Sequence, residues 1–157
     1  MMNHLAGGCA CGQVRYALST PPMFVNCCHC TDCQRQTGSA FVINALIETD
    51  RIALREGVPE PVAVPTPSGR PHDVYRCPAC RTAVWSDYGR RPSLRFVRVG
   101  TLDQPAALPP DAHIFTRSKL PWVVLPTAAP AFDVYYDMHT QWSPDSLARR
   151  KVILGDG

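Results

Sequence analysis

Eight cysteines gathered into three short motifs constrain this 157-residue chain more than any other feature. They read Cys9-Ala10-Cys11, Cys27-Cys28-His29-Cys30-Thr31-Asp32-Cys33 and Cys77-Pro78-Ala79-Cys80. At about 5% of the residues they fall short of the roughly 8–10% that marks a disulfide scaffold. Met1 to Gly8 has neither the basic n-region nor the apolar h-region of a secretory signal, so the expectation is a cytoplasmic protein in a reducing compartment. There, spaced thiols serve metal ions rather than disulfides.

The rest of the composition describes the container. With 45% hydrophobic and 18% charged residues the chain can bury one interior, so a single domain over residues 1–157 is expected and wholesale disorder is excluded. No apolar stretch approaches the ~18 residues of a membrane span; the densest run is Trp122-Val123-Val124-Leu125. A formal charge of +3, with its cations scattered, argues for neither a membrane nor a nucleic-acid partner. The sequence leaves the oligomeric state open, a homo-oligomer included.

Sixteen prolines disfavour long helices and favour short strands joined by turns. Val14, Tyr16 and Leu18 alternate with Arg15 and Ala17, the period of a half-buried strand. Phe24 to Cys28, Phe41 to Ile47, Arg51 to Leu54, Val74 to Cys77, Ala83 to Ser86 and Leu94 to Val99 read the same way, the last with Leu94, Phe96 and Arg98 on one face. The fold class is therefore mainly β, mostly antiparallel. Thr31 is positioned to cap a helical turn that Gly38 would end. The segment from Gly57 to Pro71 reads as a loop or edge connection. Ser143-Pro144 starts a C-terminal helix, whose Arg149-Arg150-Lys151 end reads as a solvated face.

Cys77-Pro78-Ala79-Cys80 is a knuckle, a zinc-ribbon-like turn that aims two sulfurs at one point. Paired with Cys9 and Cys11 it supplies the four ligands of a closed, structural zinc site. Cys28, Cys30 and Cys33 offer only three thiolates, and a zinc with three protein ligands keeps a fourth position for water or substrate. Such a site can hold a thiol as its thiolate or polarise a carbonyl, which suits addition of a thiol to an aldehyde. Cys27 precedes Cys28 by one residue and on a strand points to the other face, so it reads as a core thiol, with a fourth metal ligand as the alternative. His29 reads as a residue that orients the loop or lines the pocket, with metal ligation as the alternative.

Gly8-Cys9-Ala10-Cys11-Gly12-Gln13-Val14-Arg15-Tyr16, the stretch from Cys28 through Gln34-Arg35-Gln36-Thr37-Gly38-Ser39-Ala40-Phe41, and Cys77-Pro78-Ala79-Cys80 together resemble the glutathione-dependent formaldehyde-activating enzyme (GFA) family, which includes centromere protein V. So do Gly100-Thr101-Leu102-Asp103 and His113-Ile114-Phe115 with Lys119 and Trp122. The resemblance covers a core of about residues 5–125, with an extension over about 126–157. It implies a β-tent of small antiparallel sheets, a structural zinc on Cys9, Cys11, Cys77 and Cys80, and a catalytic zinc on Cys28, Cys30 and Cys33, two Zn2+ per chain. The family activity is formation of S-hydroxymethylglutathione from formaldehyde and glutathione, formally a carbon–sulfur lyase reaction in reverse. Arg81 departs from the glycine usual after such a knuckle, a departure that costs about 1 kcal/mol if the turn is kept.

The mechanism expected is attack of a small thiol such as glutathione on formaldehyde or another aldehyde at the three-cysteine zinc. Arg35 is a candidate for holding a substrate carboxylate, Ser39 and Thr37 for hydrogen-bonding the developing alkoxide, and His113 for moving a proton or for a structural hydrogen bond. Trp122 is assigned to the core, and the tail from Asp133, with Tyr135-Tyr136, to packing. The rival reading is a non-catalytic zinc module that binds protein or nucleic acid. That reading calls for a contiguous basic surface rather than a pocket at the metal.

Overall fold

The computed structural model describes residues 5–156, so Met1 to His4 of the segment read above for a leader lie outside the described residues, as does Gly157. In chain order the elements are β1 (Ala6–Gly8), β2 (Arg15–Leu18), β3 (Phe24–Cys28), α1 (Thr31–Thr37), β4 (Val42–Glu48), β5 (Ile52–Glu56), β6 (Glu60–Val64), β7 (His72–Arg76), β8 (Ala83–Tyr88), β9 (Leu94–Arg98), β10 (Ala112–Ile114), α2 (Met138–Gln141) and α3 (Pro144–Leu154). The fold is mainly β, as expected. Strands β1, β2 and β5 form one sheet, and the order β10-β3-β4-β9-β8-β7-β6 forms a second. Pairing is antiparallel except where β10 lies parallel to β3. No helix among the described residues is long and apolar enough to cross a membrane.

The larger sheet buries both faces, and the alternation along its strands decides what meets what. Val25, Ala45, Ile47, Val84 and Val97 pack with Tyr16 and Leu18 of the smaller sheet and with Val14 just before it. Phe24, Cys28, Val42, Leu46 and Leu94 point the other way, into a second cluster with Tyr136 and Trp142. Between the sheets Tyr16 meets Trp85 edge-on at 5.5 Å. Its hydroxyl lies 2.7 Å from Thr101 Oγ1, so close to β1 that a Cβ at Gly7 would come within 2.7 Å of the same hydroxyl.

The helix from Thr31 is capped by Cys30, not Thr31: the Cys30 sulfur accepts from Cys33 N–H, and Gly38 ends the helix at φ 66°. The Gly57–Pro71 segment contains an edge strand, β6, followed by a loop. Pro61 and its missing N–H are tolerated there because β6 is last in the sheet order. Trp122 is not a core residue; it is 72% exposed.

The tail packs on the second face. Trp142 stacks on Phe24 with ring centroids 5.5 Å apart and donates from Nε1 to the Tyr136 hydroxyl, which donates to Asn26 Oδ1 at 2.9 Å. Ser143 caps α3 by accepting from Ser146 N–H, and the Ser146 hydroxyl donates to Met23 O. The Arg149-Arg150-Lys151 end is not one solvated face. Arg149 makes two 2.7 Å bonds to Glu48, a carboxylate 4% exposed, whereas Lys151 pairs with Asp156 in solvent. Burial alone would raise the Glu48 carboxyl, but the Arg149 guanidinium holds it below its ordinary value. Arg81 keeps the knuckle turn by adopting a left-handed φ of 65°.

Two outcomes are expected. Arg149→Met leaves Glu48 buried with only Arg51 nearby and should cost about 3 kcal/mol in urea unfolding at pH 7. Because the native pair depresses the Glu48 pKa, its contribution is complete above the ordinary ~4.3 and is lost as pH falls through the lower folded value. The gap between wild type and variant should therefore narrow below about pH 4. Arg81→Gly should raise stability by up to ~1 kcal/mol while Arg81→Val lowers it, measured by thermal melts.

Candidate functional site

The first cysteine cluster joins two turns. Cys9 follows β1 and receives Val14 N–H on its sulfur at 3.2 Å; Cys77 and Cys80 belong to the turn between β7 and β8. Cys9 and Cys11 sulfurs are 3.5 Å apart, and Cys11 and Cys77 sulfurs 3.8 Å. All four ligand atoms of Cys9, Cys11, Cys77 and Cys80 lie within 4.8 Å of one another. A tetrahedral ion with metal–sulfur bonds of about 2.3 Å sets its sulfurs ~3.8 Å apart, so the donors fit a metal ion and suit zinc. The Thr82 hydroxyl, 3.1 Å from the Cys80 sulfur, helps bring that thiol down to about 5. Cys9 is lowered as well, whereas Cys11 is pushed up to about 11, with its neighbouring sulfurs among the causes, so without a cation the four sulfurs do not all ionise together.

The second cluster straddles the junction of β3 and α1. Cys28 ends the strand, Cys30 caps the helix and Cys33 sits in its first turn, its N–H donating to the Cys30 sulfur at 3.3 Å. These three sulfurs also lie within 4.8 Å of one another. Hydrogen bonds from the Cys28 and Cys33 thiols bring Cys30 down to about 2, while Cys28 is pushed up to about 12 and Cys33 is raised, each chiefly by a neighbouring sulfur of the cluster. Without a cation three close sulfurs cannot all ionise; a divalent ion lets every one of them deprotonate, so this set too fits a metal ion.

A cavity of about 820 Å³ opens on this cluster. Its floor is the second face of the larger sheet, including Asn26, Asn44, Phe96 and Arg98. Burial disfavours the charge of Arg98, and the Cys33 and Cys28 sulfurs restore part of it; Nη1 donates to Asn44 Oδ1 at 2.7 Å. The loop after β6 contributes Ser68 and Arg70, and the tail contributes Tyr135, Met138, Trp142 and Arg150.

Of the residues expected beside the cysteines, Arg35, Thr37, Ser39 and His113 do not line this cavity. Arg35 is exposed on α1, two residues beyond Cys33 and therefore about 200° round the helix. Thr37 donates its hydroxyl to Cys33 O, which satisfies a helix carbonyl, and Ser39 is exposed. His113 lies opposite Cys27 in the β10–β3 register, on the face away from Ile114, which does line the cavity. Its Nδ1 is 3.0 Å from His29 Nε2, itself 3.5 Å from the Cys27 sulfur. Burial lowers both imidazoles, His29 to about 4, so the pair is neutral.

Cys27, His29 and His113 are also close enough to hold an ion. Yet His29 Nδ1 and His113 Nε2 are buried without partners. An ion on the inner nitrogens would turn both outer ones into orphaned N–H donors, whereas one shared proton leaves only one. The hydrogen-bonded pair is the better reading. Sequence reasoning missed this convergence because it depends on the parallel β10–β3 pairing. It also missed Arg91 and the tail residues of the cavity wall. For Arg98 a signal existed, since alternation sets it beside Leu94 and Phe96.

Comparison with known sequences matches residues 4–118 to the family described as glutathione-dependent formaldehyde-activating enzyme. A Halomonas elongata protein provisionally named glutathione-dependent formaldehyde-activating enzyme is 27% identical over 124 residues, covering 76% of this chain and 79% of its own. A solved structure of a Rhodobacter sphaeroides protein aligns with 80% of this chain and 98% of its own, at 17% identity and a TM-score of 0.48. Because the matched residues span most of the sequence and contain all three cysteine motifs, the chain belongs to the glutathione-dependent formaldehyde-activating enzyme family.

Proposed function

We propose that the protein is a zinc-dependent enzyme of the carbon–sulfur lyase type that joins a small thiol to an aldehyde, with glutathione and formaldehyde as the pair suggested by the family. The observation that carries this reading is the second cluster: three sulfurs converge, and among the described residues no fourth Cys, His, Asp or Glu joins them. Cys9, Cys11, Cys77 and Cys80 would hold a structural zinc, and Cys28, Cys30 and Cys33 a second. When bound, that second zinc would supply the positive charge that keeps an incoming thiol ionised near neutral pH.

The chain's own residues do the remainder. The cavity receives both reactants beside the sulfurs. Arg98 fixes one positive charge on the floor, offsetting the negative charge of the cluster. The thiol sulfur forms a bond to the carbonyl carbon, the carbon–oxygen π bond opens, and the oxygen takes up the proton released by the thiol. The product is a hydroxyalkyl thioether, and the reverse step regenerates both partners. All eight cysteines are free, which supports a reducing, cytoplasmic setting. A binding module would not need a cavity at this cluster, so the enzymatic reading is favoured over it.

Metal analysis of anaerobically purified protein should give two zinc ions per chain. Cys33→Ser should lose one of them, keep most of its thermal stability and lose activity, while Cys80→Ser should fail to fold stably. A panel of thiol and aldehyde pairs, followed by loss of free aldehyde against a protein-free control, tests the reaction. No acceleration for any pair would overturn the proposal.

A further inference from the structure

When a sulfur adds to a carbonyl carbon, the π electron pair moves onto the oxygen, which then needs hydrogen-bond donors of its own. The cavity floor carries them in one row. Asn26 pairs with Asn44 in the β3–β4 register, and Asn44 with Arg98 in the β4–β9 register. All three line the cavity, as do Cys28, Cys30 and Cys33. Cys28 follows Asn26 on the same face of β3 and is the diagonal neighbour of Asn44, about 7–8 Å away in an antiparallel pair. The row therefore runs beside the three-sulfur cluster. The hydroxyls of Thr37 and Ser39, expected from the sequence to serve the alkoxide, do not line the cavity.

In this row the acceptors are used by the protein and the donors are not. Trp142 Nε1, which can only donate, bonds the Tyr136 oxygen at 3.1 Å, so the Tyr136 hydroxyl passes its own proton on to Asn26 and requires the amide oxygen there, at 2.9 Å. Arg98 likewise can only donate, so Asn44 must present its Oδ1 to Nη1, at 2.7 Å. Both amides are thereby oriented with Nδ2 as the end left for a ligand. Arg98 forms no ion pair among the described residues, and its Nε is buried without an acceptor. The one carboxylate that lines the cavity, Asp32, accepts from Gln36 on its own helix. Balancing the charge of the sulfurs would take the guanidinium alone; a guanidinium with two oriented amides matches an anionic oxygen.

We propose that Arg98, with Asn44 and Asn26, receives the carbonyl oxygen of the aldehyde and holds the alkoxide that forms on it. This rests on the thiol-addition reading above and supplies the residues that act on its second reactant. As the sulfur–carbon bond forms, the π pair of the carbonyl passes to oxygen, which accepts hydrogen bonds from the guanidinium and amide N–H groups. The oxygen then takes up the proton that the thiol released, and no further reactant is consumed.

The test uses the zinc-loaded protein and two readouts. In the thiol and aldehyde assay, Arg98→Gln should lower kcat by on the order of a hundredfold, the usual size for loss of an oxyanion donor, with two zinc ions retained and the KM for thiol little changed. Arg98→Lys, which keeps the charge but not the planar fork, should recover only part of that loss. Asn44→Asp, which offers Arg98 a carboxylate, should lower kcat by roughly tenfold or more. Independently of turnover, calorimetric titration with thioglycolate and with its methyl ester compares two thiols that differ by a negative charge close to where the alkoxide would lie. The wild type should bind thioglycolate roughly ten times more tightly than the ester, the usual size for one hydrogen-bonded charge, and Arg98→Gln and Asn44→Asp should each lose most of that preference. Full kcat with an unchanged preference in both variants overturns the proposal, and their continued turnover would leave the general reaction standing. If Arg98→Gln loses its second zinc, the other two variants decide: full kcat in both makes Arg98 only a counter-charge to the sulfurs and overturns the proposal, whereas a lowered kcat with both zinc ions present supports it. If the wild type accelerates no thiol and aldehyde pair, the thiol-addition reading falls. A thioglycolate preference that disappears in Arg98→Gln then still assigns the row to an anionic oxygen, and the lack of any preference in the wild type overturns that assignment too.

Discussion

Consecutive side chains on a strand must point to opposite faces, and on β3 this separates two adjacent cysteines into different chemistries. Cys28 turns toward the cavity, where Cys30 and Cys33 meet it from the start of α1. Cys27 turns away, into a buried contact with His29, which in turn meets His113. One residue of slip in the β3–β4 register would exchange these environments, sending Asn26 and Cys28 toward the apolar interior and Val25 and Cys27 toward the cavity. The apolar alternation of β4, with Ala45 and Ile47 on one face and Leu46 on the other, makes that slip costly. Hydrophobic packing between the sheets therefore fixes where the three clustered sulfurs stand.

Charge is the second organising constraint. The sulfur clusters concentrate negative charge, and the larger sheet answers with Arg98 beneath the three-cysteine set. Elsewhere buried charges are matched: Glu48 with Arg149 and Arg51, Asp87 with Arg95.

Much of the architecture was legible in the sequence. The period of two found β2, β3, β4 and β9, and the spacing of the cysteines separated a four-sulfur set from a three-sulfur set, since ligand count and short turns are local properties. Gly38 was identified as a helix end because few other residues take a positive φ without strain. What escaped was non-local. Arg35 and Ser39 lie near the cysteines along the chain, yet helix rotation and the turn after Gly38 take them elsewhere. Trp142 and Arg150 lie more than a hundred residues from Cys33 and arrive at the cavity because Trp142 stacks on Phe24 and Arg149 grips Glu48. The Arg149-Arg150-Lys151 run was read by helix-end electrostatics alone, which cannot anticipate a carboxylate on a distant strand.

The bidentate contact between Arg149 and Glu48 ties the end of the chain to the middle of the protein, alongside the stacking of Trp142 on Phe24. Everything that α3 presents next to it can vary in shape while that tether and the sulfur centres stay as they are. Descendants of such a protein could exchange one range of reactants for another by editing only their last few dozen residues, leaving the older chemical apparatus untouched.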